Sequence, residues 1–158
     1  MKHKLLIAGS RYHDNALDRV VIMAIEKAKE LGLLIVVGDN PLGVDAMVVQ
    51  LCIGFGVDYA AYGISKQPRN TNIEPSKYIN VPLQKNRSAK IMYGQRDQHM
   101  IDLADVSLFV WNESSEGTYA GYLYAKRGVN ANSAYLVTAK TTKEQLSVIW
   151  DSVQKKGQ

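Results

Sequence analysis

Val106–Gly128 reads VSLFVWNESSEGTYAGYLYAKRG. A hydrophobic run, Val106 to Trp111, stops at the small polar turn Ser114-Ser115-Glu116-Gly117-Thr118. A Tyr-rich segment of helical pattern follows at once, Gly117 to Arg127, and ends at Gly128. A short, continuous apolar run is the mark of a strand buried on both faces. The segment is therefore a strand, a turn and a helix in close succession. Its turn is either ordinary punctuation or a cradle for an anionic ligand.

The same alternation extends in both directions. Leu5 to Ala8 is a short apolar strand ended by Gly9. Leu17, Val20, Val21, Ala24, Ala28 and Leu31 recur at helical spacing, with Gly32 as the stop. Leu33 to Val37 gives a second strand that meets the breaker Gly38-Asp39-Asn40-Pro41. Val44 to Ile53 is apolar on nearly all sides, as a buried helix is, and Val57 to Tyr62 supplies a third strand. Between Gly63 and about Met92 the pattern dissolves around Pro68, Pro75 and Pro82, which predicts a long loop or arm with some helix from Lys85 onward. Tyr93 to Ala104 is helical by period. Ala134 to Thr138 is a strand, and a last helix runs from Thr141 to about Gln154, capped by Thr141 or Thr142 and frayed after Trp150. Such alternation calls for one α/β domain over residues 1–158, with a mostly parallel sheet of five or more strands between two helical layers.

At 158 residues, with 46% apolar and 22% charged residues, the chain has the composition of a folded globular domain. A net charge of +4 and a pI near 9.1 suit an anionic partner, but Lys and Arg are scattered without a basic run. The one cysteine, Cys52, sits in an apolar run and reads as a small core residue in a reducing compartment. Leu5 to Ala8 is too short for a secretory leader, and no stretch approaches a membrane span. The expectation is a cytoplasmic protein without membrane contact.

In parallel sheets, ligands gather at the carboxyl ends of the strands. Three turns lie there: Gly9-Ser10-Arg11, Gly38-Asp39 through Gly43 to Asp45, and Ser114-Ser115-Glu116-Gly117-Thr118. Each leads into a helix start, where free N–H groups and the helix dipole favour an anion. Arg96 shares a helical stripe with Met100, Leu103 and Ala104, so its guanidinium points inward and needs a negative partner. That partner is a ligand phosphate or a carboxylate of Asp97, Asp105 or Asp45. No Walker loop, dinucleotide fingerprint or nucleophile elbow is present, and His3, His13 and His99 form no metal spacing. Neither a metal nor a resident cofactor is expected.

The set IAGSR (7–11), VVGDNPLGVDA (36–46), QRDQHMIDLADVSLFVW (95–111) and SSEGTYAGYLYAKRG (114–128) resembles the SLOG superfamily, which joins the Smf/DprA proteins to the LOG-type nucleotide-processing proteins. The resemblance spans about residues 4–138. It implies a Rossmann-like three-layer sandwich that binds a nucleotide or nucleotide derivative, with phosphate near Gly117 and Thr118 and base or ribose near Gly9, Ser10 and Asp45. It also implies association into a homo-oligomer. The LOG-type signature Gly-Gly-x-Gly-Thr-x-x-Glu is broken here: Ser114, Ser115 and Glu116 precede Gly117, and Gly121 stands where the glutamate belongs. Cleavage of a glycosidic bond requires such a carboxylate. The first expectation is accordingly a nucleotide-binding module or sensor using Gly9, Ser10, Arg11, Gly38, Asp39, Gly43, Asp45, Arg96, Ser114, Ser115, Gly117 and Thr118. The second is a nucleoside 5'-monophosphate N-glycosidase with Arg96, Asp45 and Glu116 as catalytic candidates. Single-stranded DNA binding ranks third, because the sequence shows no basic groove.

Overall fold

The computed structural model describes residues 2–83 and 87–156. Its elements alternate as the sequence pattern requires: β1 (Lys4–Gly9), α1 (Asp18–Leu31), β2 (Leu34–Gly38), α2 (Gly43–Phe55), β3 (Tyr59–Gly63), β4 (Tyr78–Asn80), α3 (Ala89–Leu103), β5 (Val106–Val110), α4 (Glu116–Lys126), β6 (Ala134–Val137) and α5 (Lys143–Lys156). The six strands form one sheet in the order β4-β3-β2-β1-β5-β6, with every neighbouring pair parallel.

Strand periodicity sorts the core into two layers. Leu5 and Ile7, Ile35 and Val37, and Leu108 and Val110 face one way, into a core shared with α1, α2 and α5 through Val20, Ala24, Val48, Ile149 and Trp150. The intervening Leu6, Val36 and Phe109 face the other way, onto Met100, Ile101 and Ala104 at α3 and Ala125 of α4. This is the three-layer α/β sandwich expected from the strand–helix alternation.

Several boundaries differ from the sequence pattern for identifiable reasons. β4 lies inside the segment expected to be loop or arm. It is a three-residue edge strand with Ile79 and Asn80 exposed, so it carries no apolar run to betray it. The crossover before it packs Ile73 into the first core layer, and the Glu74 amide donates to the Tyr59 hydroxyl at 3.2 Å. Helix α3 begins at Ala89 with Ser88 as cap, and Lys85, where helix was expected to start, lies outside the described residues. At α5 the cap is Thr142, whose hydroxyl accepts from the Gln145 amide at 3.1 Å while the Gln145 side chain accepts from Thr142 N at 2.8 Å. That reciprocal pair starts a helix that continues past Trp150 to Lys156 instead of fraying.

Candidate functional site

The chain steps outward from β1 to β2, β3 and β4, then returns across the sheet to place β5 on the other side of β1. Connections from β1 and β5 therefore leave in opposite directions, and their carboxyl ends flank a switch point in strand order. Gly9 and Val110 are register partners at that edge, so the Gly9-Ser10-Arg11 turn and the Trp111–Ser115 turn start side by side.

The first two turns close upon each other. The Val44 amide in the first turn of α2 donates to Ser10 O at 2.9 Å. Gly43 has a φ of 71°, and a Cβ there would collide with Ser10 O and the Arg11 backbone. Ser10 is thereby buried, and its hydroxyl accepts from Tyr12 N at 3.0 Å. Arg11 remains exposed, its guanidinium 5.4 Å from the Tyr12 ring centre, and makes no ion pair among the described residues.

The third turn stays open. Asn112 Oδ1 accepts from the amides of Ser114 (3.0 Å) and Ser115 (2.8 Å), and Ser115 Oγ caps α4 by accepting from Thr118 N at 3.4 Å. The Ser115 and Thr118 hydroxyls lie 3.0 Å apart. The amides of Glu116 and Gly117 donate to no group among the described residues. Apart from its chain neighbours and the backbone of its own helix, no heavy atom among the described residues stands within 4 Å of the place a Cβ on Gly117 would occupy. Two unpaired N–H groups at a helix start, beside open space, suit an anion. Gly121, at the position of the missing glutamate, packs against Phe109, whose Cε1 would lie 3.1 Å from a Cβ there. That position faces the sheet.

Gly38, Asp39, Asp45 and Arg96 form a second group around the carboxyl ends of β2 and β3. Arg96 Nη1 donates to Asp39 Oδ1 at 3.1 Å and to Tyr62 O at 3.4 Å, while Nε and Nη2 reach Asp97 Oδ1 at 3.1 and 2.7 Å. Asp39, 1% exposed, also accepts from Arg69 through N, Nε and Nη2 at 2.9, 3.0 and 2.8 Å. Both guanidinium groups lie over the Tyr93 ring, at 4.0 Å for Arg69 and 5.1 Å for Arg96. A Cβ on Gly38 would collide with Asp45 Oδ2 and come within 3.0 Å of the Arg96 guanidinium. The missing side chain thus admits both groups to one place. Burial strips water from the Asp45 carboxyl and pushes its pKa up to about 6. Arg96 opposes that shift, Asp97 adds to it, and the Asn40 amide and Arg69 act against it. Burial also disfavours the Arg96 charge, but the Asp97, Asp45 and Asp39 carboxylates outweigh it and hold its pKa above the usual value.

Of the carboxylates foreseen for Arg96, Asp97 is a direct partner and Asp45 a close neighbour. Asp105 is not: it sits at the opposite edge, accepting from Lys4 N at 2.8 Å. The main buried partner is Asp39, itself a candidate ligand contact. Arg69, Tyr93 and Trp111 were not singled out as site residues. Arg69 lies in the aperiodic segment, and only its position one residue after Pro68 sets it apart in sequence. Two depressions lie away from both groups, one between α5 and β6 around Tyr135, Val148 and Asp151, another between Pro82 and the Gln95, His99 and Asp102 side of α3. Among the described residues no group of three or more His, Cys, Asp or Glu could hold a metal ion, and no helix is long and apolar enough to cross a membrane.

No family model matches the chain, and no curated protein matches it in sequence. Its fold nevertheless has clear counterparts among solved structures. DNA processing protein A from Helicobacter pylori, described in a single-stranded DNA binding mode, aligns with a TM-score of 0.67 at 14% identity, over 96% of this chain and 74% of the other. The molybdenum cofactor binding protein from Rippkaea orientalis aligns at 0.65 and 11% identity, over 98% and 86%. The molybdenum cofactor carrier protein from Chlamydomonas reinhardtii aligns at 0.58 and 15% identity, over 96% and 85%. At these identities the likeness is one of fold: the chain shares its α/β sandwich with proteins that bind DNA or a cofactor at similar scaffolds.

Proposed function

We propose that this protein binds a nucleotide or nucleotide-derived ligand through a phosphate held at the start of α4, at the switch between β1 and β5. The observation that carries the reading is the pair of unpartnered amides on Glu116 and Gly117, opening onto the β5 side of the switch while Arg11, without an ion pair, leaves the adjoining end of β1. Arg96 is left a structural part at the ends of β2 and β3, since its donors are engaged by Asp39, Asp97 and Tyr62 O. The scaffolds it resembles, named for binding single-stranded DNA or the molybdenum cofactor, add weight to a ligand-binding role.

Calorimetry against AMP, ADP-ribose and cyclic dinucleotides tests the proposal. The informative variant is Glu116→Pro. Proline is accepted at the first helical position and Ser115 is already extended at ψ 109°, so the substitution deletes one amide donor while keeping the helix. Binding by the native chain that weakens in Glu116→Pro and Arg11→Ala is the expected result. A panel without any binder refutes the reading.

A second reading, cleavage of a nucleoside monophosphate at its N-glycosidic bond, is favoured by one observation. The Asp45 carboxyl, raised to about 6, is poised to give up a proton near neutral pH. Release of free base from AMP or CMP, lost in Asp45→Asn, is its assay. Gly121 packed on Phe109 weighs against it, because the family's carboxylate has no counterpart there. Single-stranded DNA binding, suggested by the first structural counterpart, predicts a mobility shift that falls steeply with salt.

A further inference from the structure

We infer that the ligand carries a planar heterocyclic ring and that Tyr119, backed by Trp111, is the surface on which the ring lies; this rests on the phosphate position proposed above. Tyr119 and Tyr122, three residues apart on α4, stand on one side of the helix. Their rings belong to a ladder that begins in the core at Phe109, passes to Tyr122 at 6.0 Å between ring centres, to Tyr119 at 6.1 Å, and ends at Trp111, 5.1 Å away and tilted by 31°. One end is sealed in the second core layer. The other reaches the surface, where Tyr119 is 40% exposed and Trp111 half-buried.

The outer end is also held in place by the cap of α4. Trp111 Nε1 donates to Ser115 O at 3.0 Å, and the Tyr119 amide donates to the same oxygen at 3.3 Å. The Trp111 ring is thus oriented by the turn whose next two amides, Glu116 and Gly117, are unpartnered among the described residues, and Tyr119 is joined to the same oxygen through its backbone. Tyr119 follows those amides by two to three residues, within one helical turn. A bare anion gains nothing from exposed aromatic surface. A phosphorylated heterocycle uses both features at once, its charge on the amides and its ring on the aromatic face. The same chemistry is offered by a free mononucleotide and by a nucleotide within a single strand.

Calorimetry with AMP, ribose 5-phosphate and an oligodeoxyadenylate of about ten nucleotides separates these cases. The expected result is at least a roughly tenfold weaker affinity for ribose 5-phosphate than for the better of the two base-bearing probes. Binding of that probe should alter tryptophan fluorescence at Trp111, because Trp150 is 7% exposed in the opposite core layer. Tyr119→Leu should abolish the advantage of the base, with its circular dichroism unchanged, and Tyr119→Phe should retain it. Preference between AMP and the oligonucleotide tells which source supplies the ring. Ribose 5-phosphate binding as tightly as both other probes, or a base preference unmoved by Tyr119→Leu, overturns the inference while leaving the phosphate site standing. Silence from all three probes overturns both.

Discussion

Replacing Asp45 by asparagine should stabilise the protein at pH 8 and leave it unchanged at pH 4. The carboxyl titrates at about 6 in the folded chain against 3.8 for the unperturbed group. At about 1.4 kcal/mol per pH unit, that difference corresponds to about 3 kcal/mol. The sign follows from proton affinity: the folded state holds this proton more tightly than the unfolded state does. Asp45 therefore contributes its full stability below pH 3.8, and the contribution is lost as pH rises toward and through 6. Asparagine keeps the shape and an oxygen to accept from the Asn40 amide, but never acquires the charge. In thermal melts of the two proteins side by side, a gain of this size for a domain of this length corresponds to Tm higher by on the order of 10 °C at pH 8. The gap should close between about pH 6 and 4. Asp58, whose pKa is lowered first by its hydrogen bond from Lys77, acts in the opposite direction, but it is common to both chains and cancels in the comparison. An advantage that does not vary with pH, or an Asp45→Asn protein less stable at pH 8, would refute the claim that desolvation outweighs the nearby guanidinium groups.

Other consequences follow from the same geometry. Arg69→Ala strips the almost wholly buried Asp39 of the two hydrogen bonds from the Arg69 guanidinium, the Arg69 amide remaining, and should lower stability by about 3 kcal/mol, read by chemical denaturation; a change within about 0.5 kcal/mol would show that Arg96 and the Arg69 amide satisfy the carboxylate. Gly38→Ala drives a methyl group into Asp45 and Arg96 and should cost about 2 kcal/mol, an effect softened in the Asp45→Ala background if that collision is the cause. Glu116→Gln removes a negative charge from the proposed phosphate position and should tighten nucleotide binding by about two- to fivefold, whereas Glu116→Pro should weaken it. Cys52, its thiol pushed up to about 12 chiefly by burial and further by Asp58, should not react with a disulfide reagent at pH 8 until the protein unfolds.

The architecture was legible because burial on both faces writes itself into β1, β2 and β5 as unbroken apolar runs. Leu5 to Ile7, Ile35 to Val37 and Leu108 to Val110 must each satisfy two core layers, so no polar residue interrupts them. The helix between β1 and β2 ends at the expected Gly32, and α2 ends at Gly56, both left-handed in the structure. β4 was hidden by the converse of that rule. An edge strand has only one neighbour, and Tyr78–Asn80 is read as strand only through its register with Ala61–Gly63. Register is a relation between distant segments, which local periodicity does not encode.

The candidate site divides along the same line between local and long-range information. That Arg96 would turn inward was a matter of helical spacing, and its pairing with the adjacent Asp97 was foreseen. Its pairing with Asp39 arises because α3 lies across the ends of β2 and β3, so a residue 57 positions away in sequence becomes a direct neighbour. The three glycine-bearing turns looked equivalent in sequence, yet the first two are tied to each other by the bond from Val44 N to Ser10 O while the third is capped from within by Asn112 and Ser115. The Arg96 guanidinium, for which a phosphate was one of the expected partners, is paired within the protein by Asp39 and Asp97. Arg11 stays exposed and without an ion pair among the described residues, while the first turn of α4 carries the acidic Glu116. Under the function proposed above, the ligand meets the backbone donors of Glu116 and Gly117, and Arg96 takes a supporting part by pairing with Asp39.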